Sequence, residues 1–494
     1  MSDTVRSIVI LGGGTAGWMA AACLSRVLGT KAFDITLIES PDIGTVGVGE
    51  ATIPMIDAFH RVLGLTPQDI IRETEGTFKL GIEFVDWRRP GHSYFHPFGG
   101  YGQDLNGIGF MHHWLRLAKL THLWDHGRYS FETLAARSGR FSLNPAPGQP
   151  RLNYAYHFDA SLYAATLRRY AERLGVKRVA GTVNHVSQAV ETGFVTALHL
   201  NDEQIVTGDL FIDCSGFRGV LIEQTLKAGY EDWSHWLPCN RAFAVPSRNV
   251  GDPDPFTRST AREAGWQWRI PLRHRTGNGY VFCDGFMEID AARDALMSRL
   301  EGEALAEPRL LGFTTGRRRR LWDRNVVALG LSGGFLEPLE STAIHLIQSG
   351  LTKLMVLFPR GRISPVAADQ YNHLMHVEYE RIRDFIIAHY KLTEREDTAF
   401  WAHCRHMPIP DSLSERLSLF AEEGIFLEQP HDLFKESNWF SVLVGQGLIP
   451  QRHHPIADAP SPQDLNARLQ QIAHGLTTRV DHLPSHAQSL TRCL

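Results

Sequence analysis

Residues 7–39 read SIVILGGGTAGWMAAACLSRVLGTKAFDITLIE, and this stretch decides the fold. Ser7–Leu11 is a continuous apolar run of strand length. Gly12–Gly17 is a glycine loop. Trp18–Leu28, rich in Ala and Leu, predicts a helix, and Phe33–Glu39 a second strand. Strand, crossover helix and strand make one βαβ unit. Gly12, Gly14 and Gly17 carry the GxGxxG spacing. The first glycine makes the tight turn, the second lets backbone approach a pyrophosphate, and the third lets the helix pack on the sheet. The helix N-terminus offers unpaired N–H groups and a positive dipole end to phosphates. Glu39 ends the second strand 22 residues after Gly17. An acid there hydrogen-bonds a ribose hydroxyl, which suits FAD or NAD rather than NADP. A second strand running into a glycine turn, Asn325–Gly330 (NVVALG), lies far downstream. Two distant nucleotide-contacting turns favour FAD, which is held along its length.

The rest of the composition bounds the class. The 494 residues are 43% hydrophobic and 21% charged, enough apolar content for a large core. A net charge of −4 supplies no phosphate-neutralising surface, which argues against nucleic acid as a partner. The run Arg317–Arg320 is the local exception and reads as a solvated face. The six cysteines form no CxxC pair. That pattern fits reduced thiols rather than a disulfide framework or a zinc site, so no metal is expected. The longest uncharged stretch, Ser7–Ser25, holds four glycines and suits neither a membrane span nor a signal peptide. The expectation is a cytoplasmic protein without membrane contact.

Further along, Tyr156–Gly175 carries apolar residues at helical spacing, and Thr182–Leu200 alternates like a strand, with Asp202-Glu203 as a hairpin turn. Ile205–Asp213 leads into a strand that ends at Cys214-Ser215-Gly216. Residues 240–290 are β-rich. Ser364-Pro365 reads as an N-cap with proline at the first helical position, opening a long helical stretch. The tail beyond about Pro460 is rich in Pro, Ser and His and is expected to be less ordered.

Several strings converge. GGGTAGWMAA stands at Gly12–Ala21, FIDCSGFRG at Phe211–Gly219, WxWxIP at Trp266–Pro271 and GLSGGFLEPLEST at Gly330–Thr342. Together, over about residues 7 to 344, they resemble the flavin-dependent tryptophan-halogenase family. WxWxIP discriminates best, because general flavin monooxygenases share the glycine loop without it. The resemblance implies an α/β fold: a Rossmann-type FAD-binding domain of the flavin-monooxygenase kind, with interleaved β-sheet segments and a helical C-terminal substrate subdomain. The expected division is a catalytic body over residues 1–355 and a mainly helical substrate-covering region over 356–494.

The resemblance also assigns residues. Lys79, in the otherwise uncharged segment Gly76–Gly81, matches the catalytic lysine. A compact ammonium in a dry interior can hydrogen-bond hypohalous acid or carry the halogen. Glu340 matches the catalytic carboxylate, which takes the proton of the arenium intermediate or polarises the halogenating species. Backbone N–H groups of Thr342 and Ala343 are implied to hold the halide, Ala343 standing where the family more often has Gly. Flavin contacts fall on Gly12, Gly13, Gly14, Ala16, Gly17, Glu39, Ala51, Leu331 and Ile344, with Val186 near the adenine. Gly47–Thr52 matches a strap beside the isoalloxazine. Trp266 and Trp268 share one face of a strand and read as core aromatics that also wall the flavin side off from substrate. The implied co-reactants are FADH2 from a separate, diffusing reductase, oxygen, and chloride or bromide. The chain is expected as a monomer or homodimer.

For the substrate, His96-Pro97-Phe98 matches the segment that sandwiches an indole. Trp439 is a candidate opposite wall, and stacking of this kind recognises ring shape alone; core packing explains Phe98 and Trp439 equally well. Members acting on free tryptophan hold its amino-acid end with a tyrosine pair and a carboxylate near the C-terminus, yet no tyrosine follows Tyr390. The expectation is an indole or other electron-rich arene rather than free tryptophan. The alternatives are an aromatic hydroxylase on the same fold and a non-catalytic flavin-binding protein.

Overall fold

The structure, a computed structural model, describes residues 4–41, 49–145 and 150–494. Contacts divide the chain into two compact units, each assembled from three segments. The first comprises Met1–Gly76, Phe158–Asn240 and Gly312–Glu380; the second comprises Thr77–His157, Arg241–Leu311 and Arg381–Leu494. This partition does not fall at residue 355, although from 356 onward the described elements are helices.

In the first unit Ser7–Leu11 lies at the centre of a six-stranded sheet. It pairs in parallel with Asp34–Glu39 on one side and Leu210–Asp213 on the other. Val326–Ala328 extends the sheet beyond Leu210–Asp213, and Lys177–Ala180 extends it beyond Asp34–Glu39. The apolar runs are continuous because a parallel sheet is covered on both faces. The helix begins at Thr15, three residues before the expected Trp18, and runs to Val27. It buries every residue from Gly17 to Ser25, as a helix enclosed on all sides must. A three-stranded antiparallel sheet of Val183–Gln188, Val195–Leu200 and Ile205–Thr207 packs its apolar side chains onto the same core.

One buried carboxylate ties the loop after Leu210–Asp213. Asp213 accepts from the N–H and hydroxyl of Ser215 and from the N–H groups of Leu221 and Ile222, at 2.6 to 2.9 Å. The last two would otherwise be orphan donors at the start of the helical turn Val220–Thr225.

The second unit is built on a seven-stranded sheet in the order Arg309–Gly312, Arg241–Ser247, Thr276–Phe282, Gly265–Pro271, Thr257–Arg262, Gly81–Val85 and Ser93–Pro97. All described pairings in it are antiparallel except that of Thr257–Arg262 with Gly81–Val85. Its helices include Phe110–Thr121, Phe131–Arg137, Glu436–Gly445 and Pro462–Asp481.

Three expectations are corrected. Ala155–Asp159 is a strand and the helix starts only at Ala160, because the Asp159 carboxylate caps the N–H groups of Ser161 and Leu162. The tail is ordered helix. Ser461 caps Pro462–Asp481, and that helix buries Leu465, Leu469, Ala473 and Val480 at helical spacing. The first half of the arginine run is not a solvated face: Arg317 and Arg318 are each 6% exposed, whereas Arg319 is exposed and Arg320 half-exposed. Arg317 sits opposite Glu231 in an antiparallel pair and bonds Glu231 and Glu380 at 2.9 and 2.8 Å. Arg318 bonds Glu223 at 2.8 Å and lies 5.0 Å above the Tyr230 ring. One acid from the neighbouring strand and two from helical segments hold these cations inside. Among the described residues no helix is long and apolar enough to cross a membrane, and no cluster of three His, Cys, Asp or Glu could hold a metal ion.

Asp213→Ala strands two buried N–H donors at about 1–3 kcal/mol each. It should therefore lower unfolding free energy by about 2–6 kcal/mol in urea titrations, with Asp213→Asn losing less.

Candidate active site

The first unit contains a cavity of about 730 Å³ over the end of the glycine loop. Gly12, Gly13, Gly14, Ala16, Glu39, Leu331, Ala343 and Ile344 all line it. The glycines are required for different reasons. Gly12 has φ +119°, and a Cβ there would stand 2.2 Å from the Cys214 carbonyl oxygen. On Gly13 a Cβ would collide with the Glu39 carboxylate. At Gly17 it would stand 1.8 Å from the Gly12 carbonyl oxygen, so this glycine lets the helix close on the loop. A Cβ on Gly14, by contrast, would meet nothing within 4 Å among the described residues beyond its chain neighbours. That open space, at the N-cap of Thr15–Val27, is a cradle for a phosphate approaching backbone.

Glu39 accepts from Arg178 and lies 3.5 Å from Arg168, both of which also line the cavity. Neither arginine is evident in the sequence pattern. Both reach Glu39 from the segment 160–180, which joins the sheet by pairing Lys177–Ala180 with Asp34–Glu39. Desolvation pushes the carboxyl of Glu50, also on the cavity wall, up to about 7. The glycine cradle, the helix N-terminus and the acid fit FAD. Val186 is not on the wall. It packs against the hydrophobic core, and Val183 of the same strand lines the cavity instead. Ala51 and Gly17 are buried and also off the wall. Gly47 and Val48 of the strap lie outside the described residues.

Glu340 closes the short turn Pro338–Glu340 and is 1% exposed. Ser341 follows at φ +59°, a left-handed residue that redirects the chain into the helix Ala343–Val356. Thr342 is the N-cap of this helix. Its side chain is fully buried, and its hydroxyl has no hydrogen-bond partner among the described residues. An unpaired buried hydroxyl beside free helix N–H groups is a donor set for an anion.

In the second unit Lys79 is fully buried, with its ammonium 5.1 Å from the centre of the Phe98 ring. His96 is 1% exposed and accepts from the Asn438 amide at 3.0 Å. Its ring lies near Phe385 and Phe434. Trp439 is enclosed by Phe385, Phe426 and the Arg416 guanidinium, 4.8 Å above its ring, so it is tightly packed. Trp266 and Trp268 lie in the strand Gly265–Pro271. Trp268 faces Gly279 on the neighbouring strand, where a Cβ would stand 2.0 Å from its indole. The glycine lets the indole lie flat.

Glu132 was not legible in the sequence. Its carboxylate accepts from the Asn153 N–H at 3.0 Å and presses against Gly99, next to Phe98. Burial pushes it up to about 6, opposed by backbone N–H bonds from Asn153 and its own residue.

A family model described as tryptophan halogenase matches residues 7–462. The tryptophan 7-halogenase RebH of Lentzea aerocolonigenes is 35% identical over 94% of this chain and 92% of its own. The tryptophan 6-halogenase SttH of Streptomyces toxytricini is 34% identical over 97% and 96%. Among solved structures, Xcc4156, a flavin-dependent halogenase from Xanthomonas campestris, superposes with TM-score 0.96 at 48% identity, covering 99% of this chain and 98% of that one. BrvH, a flavin-dependent halogenase from Brevundimonas sp. BAL3, gives 0.95 at 46%, covering 99% of each. The chain belongs to the tryptophan halogenase family. It is an enzyme, a flavin-dependent halogenase.

Two outcomes follow from the geometry. Gly14 has φ −78° and open space beside it, so Gly14→Ala should leave stability unchanged. It should weaken FAD binding at least about tenfold in a fluorescence titration, and unchanged affinity would remove the phosphate from this turn. Glu132 holds its proton more tightly in the fold than its ordinary value of 4.5 allows. Its stabilising contribution is thus complete below about pH 4.5 and lost as pH rises to about 6. Glu132→Gln should raise stability at pH 7 by up to about 2 kcal/mol and flatten that window in unfolding titrations.

Proposed function

We propose that this enzyme installs chloride or bromide on an indole or another electron-rich arene rather than on free tryptophan, with Lys79 delivering the halogen. The observation that carries the reading is the fully buried Lys79 ammonium facing the Phe98 ring. FAD, when bound and reduced, supplies the two electrons with which oxygen converts halide to hypohalous acid.

The chain's own residues do the rest. Helix N–H groups at Thr342 and Ala343, with the Thr342 hydroxyl, hold the halide. The Lys79 ammonium donates a charge-assisted hydrogen bond to hypohalous acid in a low-dielectric shell, where such a bond polarises the halogen strongly. Glu340 takes the proton released when the arenium intermediate recovers aromaticity. Trp266 and Trp268 exclude the arene from the flavin side, which favours halogenation over direct oxygen insertion. His96 and Phe98 present flat apolar surface to a ring. The absence of tyrosine after Tyr390 removes the clamp that family members use for free tryptophan. A separate flavin reductase supplies FADH2 by diffusion.

Lys79→Ala should reduce halogenated product by on the order of 10²- to 10⁴-fold while FAD binding is unchanged. The assay is reductase-coupled turnover of an arene panel with each halide, read by mass spectrometry. Retained halogenation would overturn the role of Lys79. Hydroxylated product, independent of halide, would favour the hydroxylase reading, and free tryptophan turned over as fast as indole would overturn the substrate class.

A further inference from the structure

The strand that carries Lys79 is held by a chain of hydrogen bonds that the reaction as described does not use, all of it within the second unit. Thr77–Lys79 pairs antiparallel with Ala155–Asp159, setting Thr77 opposite His157 and Lys79 opposite Ala155. Alternate residues of a strand and their cross-strand partners share one face. Lys79, Thr77, Ala155 and His157 are therefore neighbours on that face, with His157 diagonal to the lysine at roughly 7–8 Å. The small Ala155 leaves room for the lysine stem.

The protons can be assigned. Thr77 Oγ1 lies 2.7 Å from the Pro271 carbonyl oxygen, which only accepts, so the hydroxyl proton points there. The same oxygen lies 2.9 Å from His157 Nδ1. Having spent its proton, it accepts from Nδ1–H. Nε2 is then the bare nitrogen of a neutral ring and accepts from the Thr257 hydroxyl at 2.9 Å. Thr77 and His157 are fully buried, and Thr257 nearly so. Burial first, then the Lys79 charge, then His486 and Arg269, hold the imidazole well below its ordinary pKa. The ring is a fixed Nδ1–H tautomer that places no second cation beside the lysine.

We propose that His157 is a positioning residue for halogen transfer, acting through Thr77 to fix the strand from which Lys79 projects, while remaining uncharged. This rests on the role of Lys79 given above. The strand has only three residues and bears a long flexible side chain; besides its backbone pairing it is held by the Phe78 N–H bond to His486 and by this Thr77–His157 contact. A misplacement of about 1 Å at a reacting group costs about 10²-fold in rate.

The test uses the full chain with saturating FAD, a reductase, indole and bromide. His157→Phe keeps an uncharged ring and removes both bonds; it should lower kcat on the order of 10²-fold. KM for indole and FAD affinity should change little, while the stranded Thr257 hydroxyl should lower Tm by a few degrees. His157→Asn puts an amide N–H where Nδ1 stood, and should recover kcat to within roughly fivefold of the parent if the bond to Thr77 is what matters. Thr77→Val, of the same shape without the hydroxyl, should match His157→Phe, and the double variant should lose no more than either single one. Should His157→Phe fail to fold, the Thr77→Val and His157→Asn pair decides the matter alone. Parental kcat in Thr77→Val, no recovery with Asn, or additive losses in the double variant would overturn the proposal. Lys79→Ala separates the two readings. If it still halogenates, the lysine assignment falls; if it is inactive while His157→Phe and Thr77→Val turn over normally, only the positioning role falls.

Discussion

The passage of the Cys214 carbonyl across Gly12 is the constraint on which the first unit depends. The strand Leu210–Asp213 must lie parallel to Ser7–Leu11, and the chain leaves it directly over the first turn of the glycine loop. Only a residue with no Cβ and a positive φ can stand beneath that carbonyl. Once Gly12 is in place, Gly17 closes on its carbonyl, the helix starts at Thr15, and its N-terminus opens into the cavity. Asp213 then holds the departing chain by four donors, so the turn that demands the glycine is itself rigid. The Glu39 carboxylate, pressed against Gly13 and held by two arginines, completes the wall.

In the second unit the WxWxIP string has more than one physical task. Its tryptophans fill the sheet, one of them flat across Gly279. Its last residue contributes only a carbonyl, yet that carbonyl takes the Thr77 proton two residues before the lysine. A motif identified by its side chains thus also acts through its backbone.

What was legible in the sequence is local. The βαβ unit, the glycine roles and the acid at Glu39 depend on spacing within about thirty residues, and short-range periodicity carries them. The Ser364-Pro365 cap was legible on the same grounds. The tail carries the same Ser-Pro signal at 461–462, and its buried Leu465, Leu469 and Ala473 stand at helical spacing, but a reading from overall composition does not register either. What stayed hidden depends on partners far away in the chain. Arg317 and Arg318 look solvated until Glu231, Glu380 and Glu223 are brought to them. His157 looks like part of a helix until Thr77 pairs with it. Arg178 and Glu132 matter only through Glu39 and Gly99, and no pattern in the chain links either pair. The burial of Lys79 is of the same kind: family resemblance singles the residue out, but pairing with Ala155 and the nearby Phe98 ring set its surroundings.

Each compact unit takes its residues from three separate segments, and this bears on how the protein is made. On a ribosome the strand Ser7–Leu11 emerges early, but its partner Leu210–Asp213 follows some two hundred residues later and Val326–Ala328 later still. Parallel pairing over such separations is slow, and the waiting apolar strand is exposed to wrong partners. Neither unit can therefore be obtained by cutting the gene at one point. One side of the first strand is paired early by Asp34–Glu39, but the nascent chain has to keep its other side out of trouble until Leu210–Asp213 has been synthesised, which makes chaperone supply and translation speed natural determinants of yield.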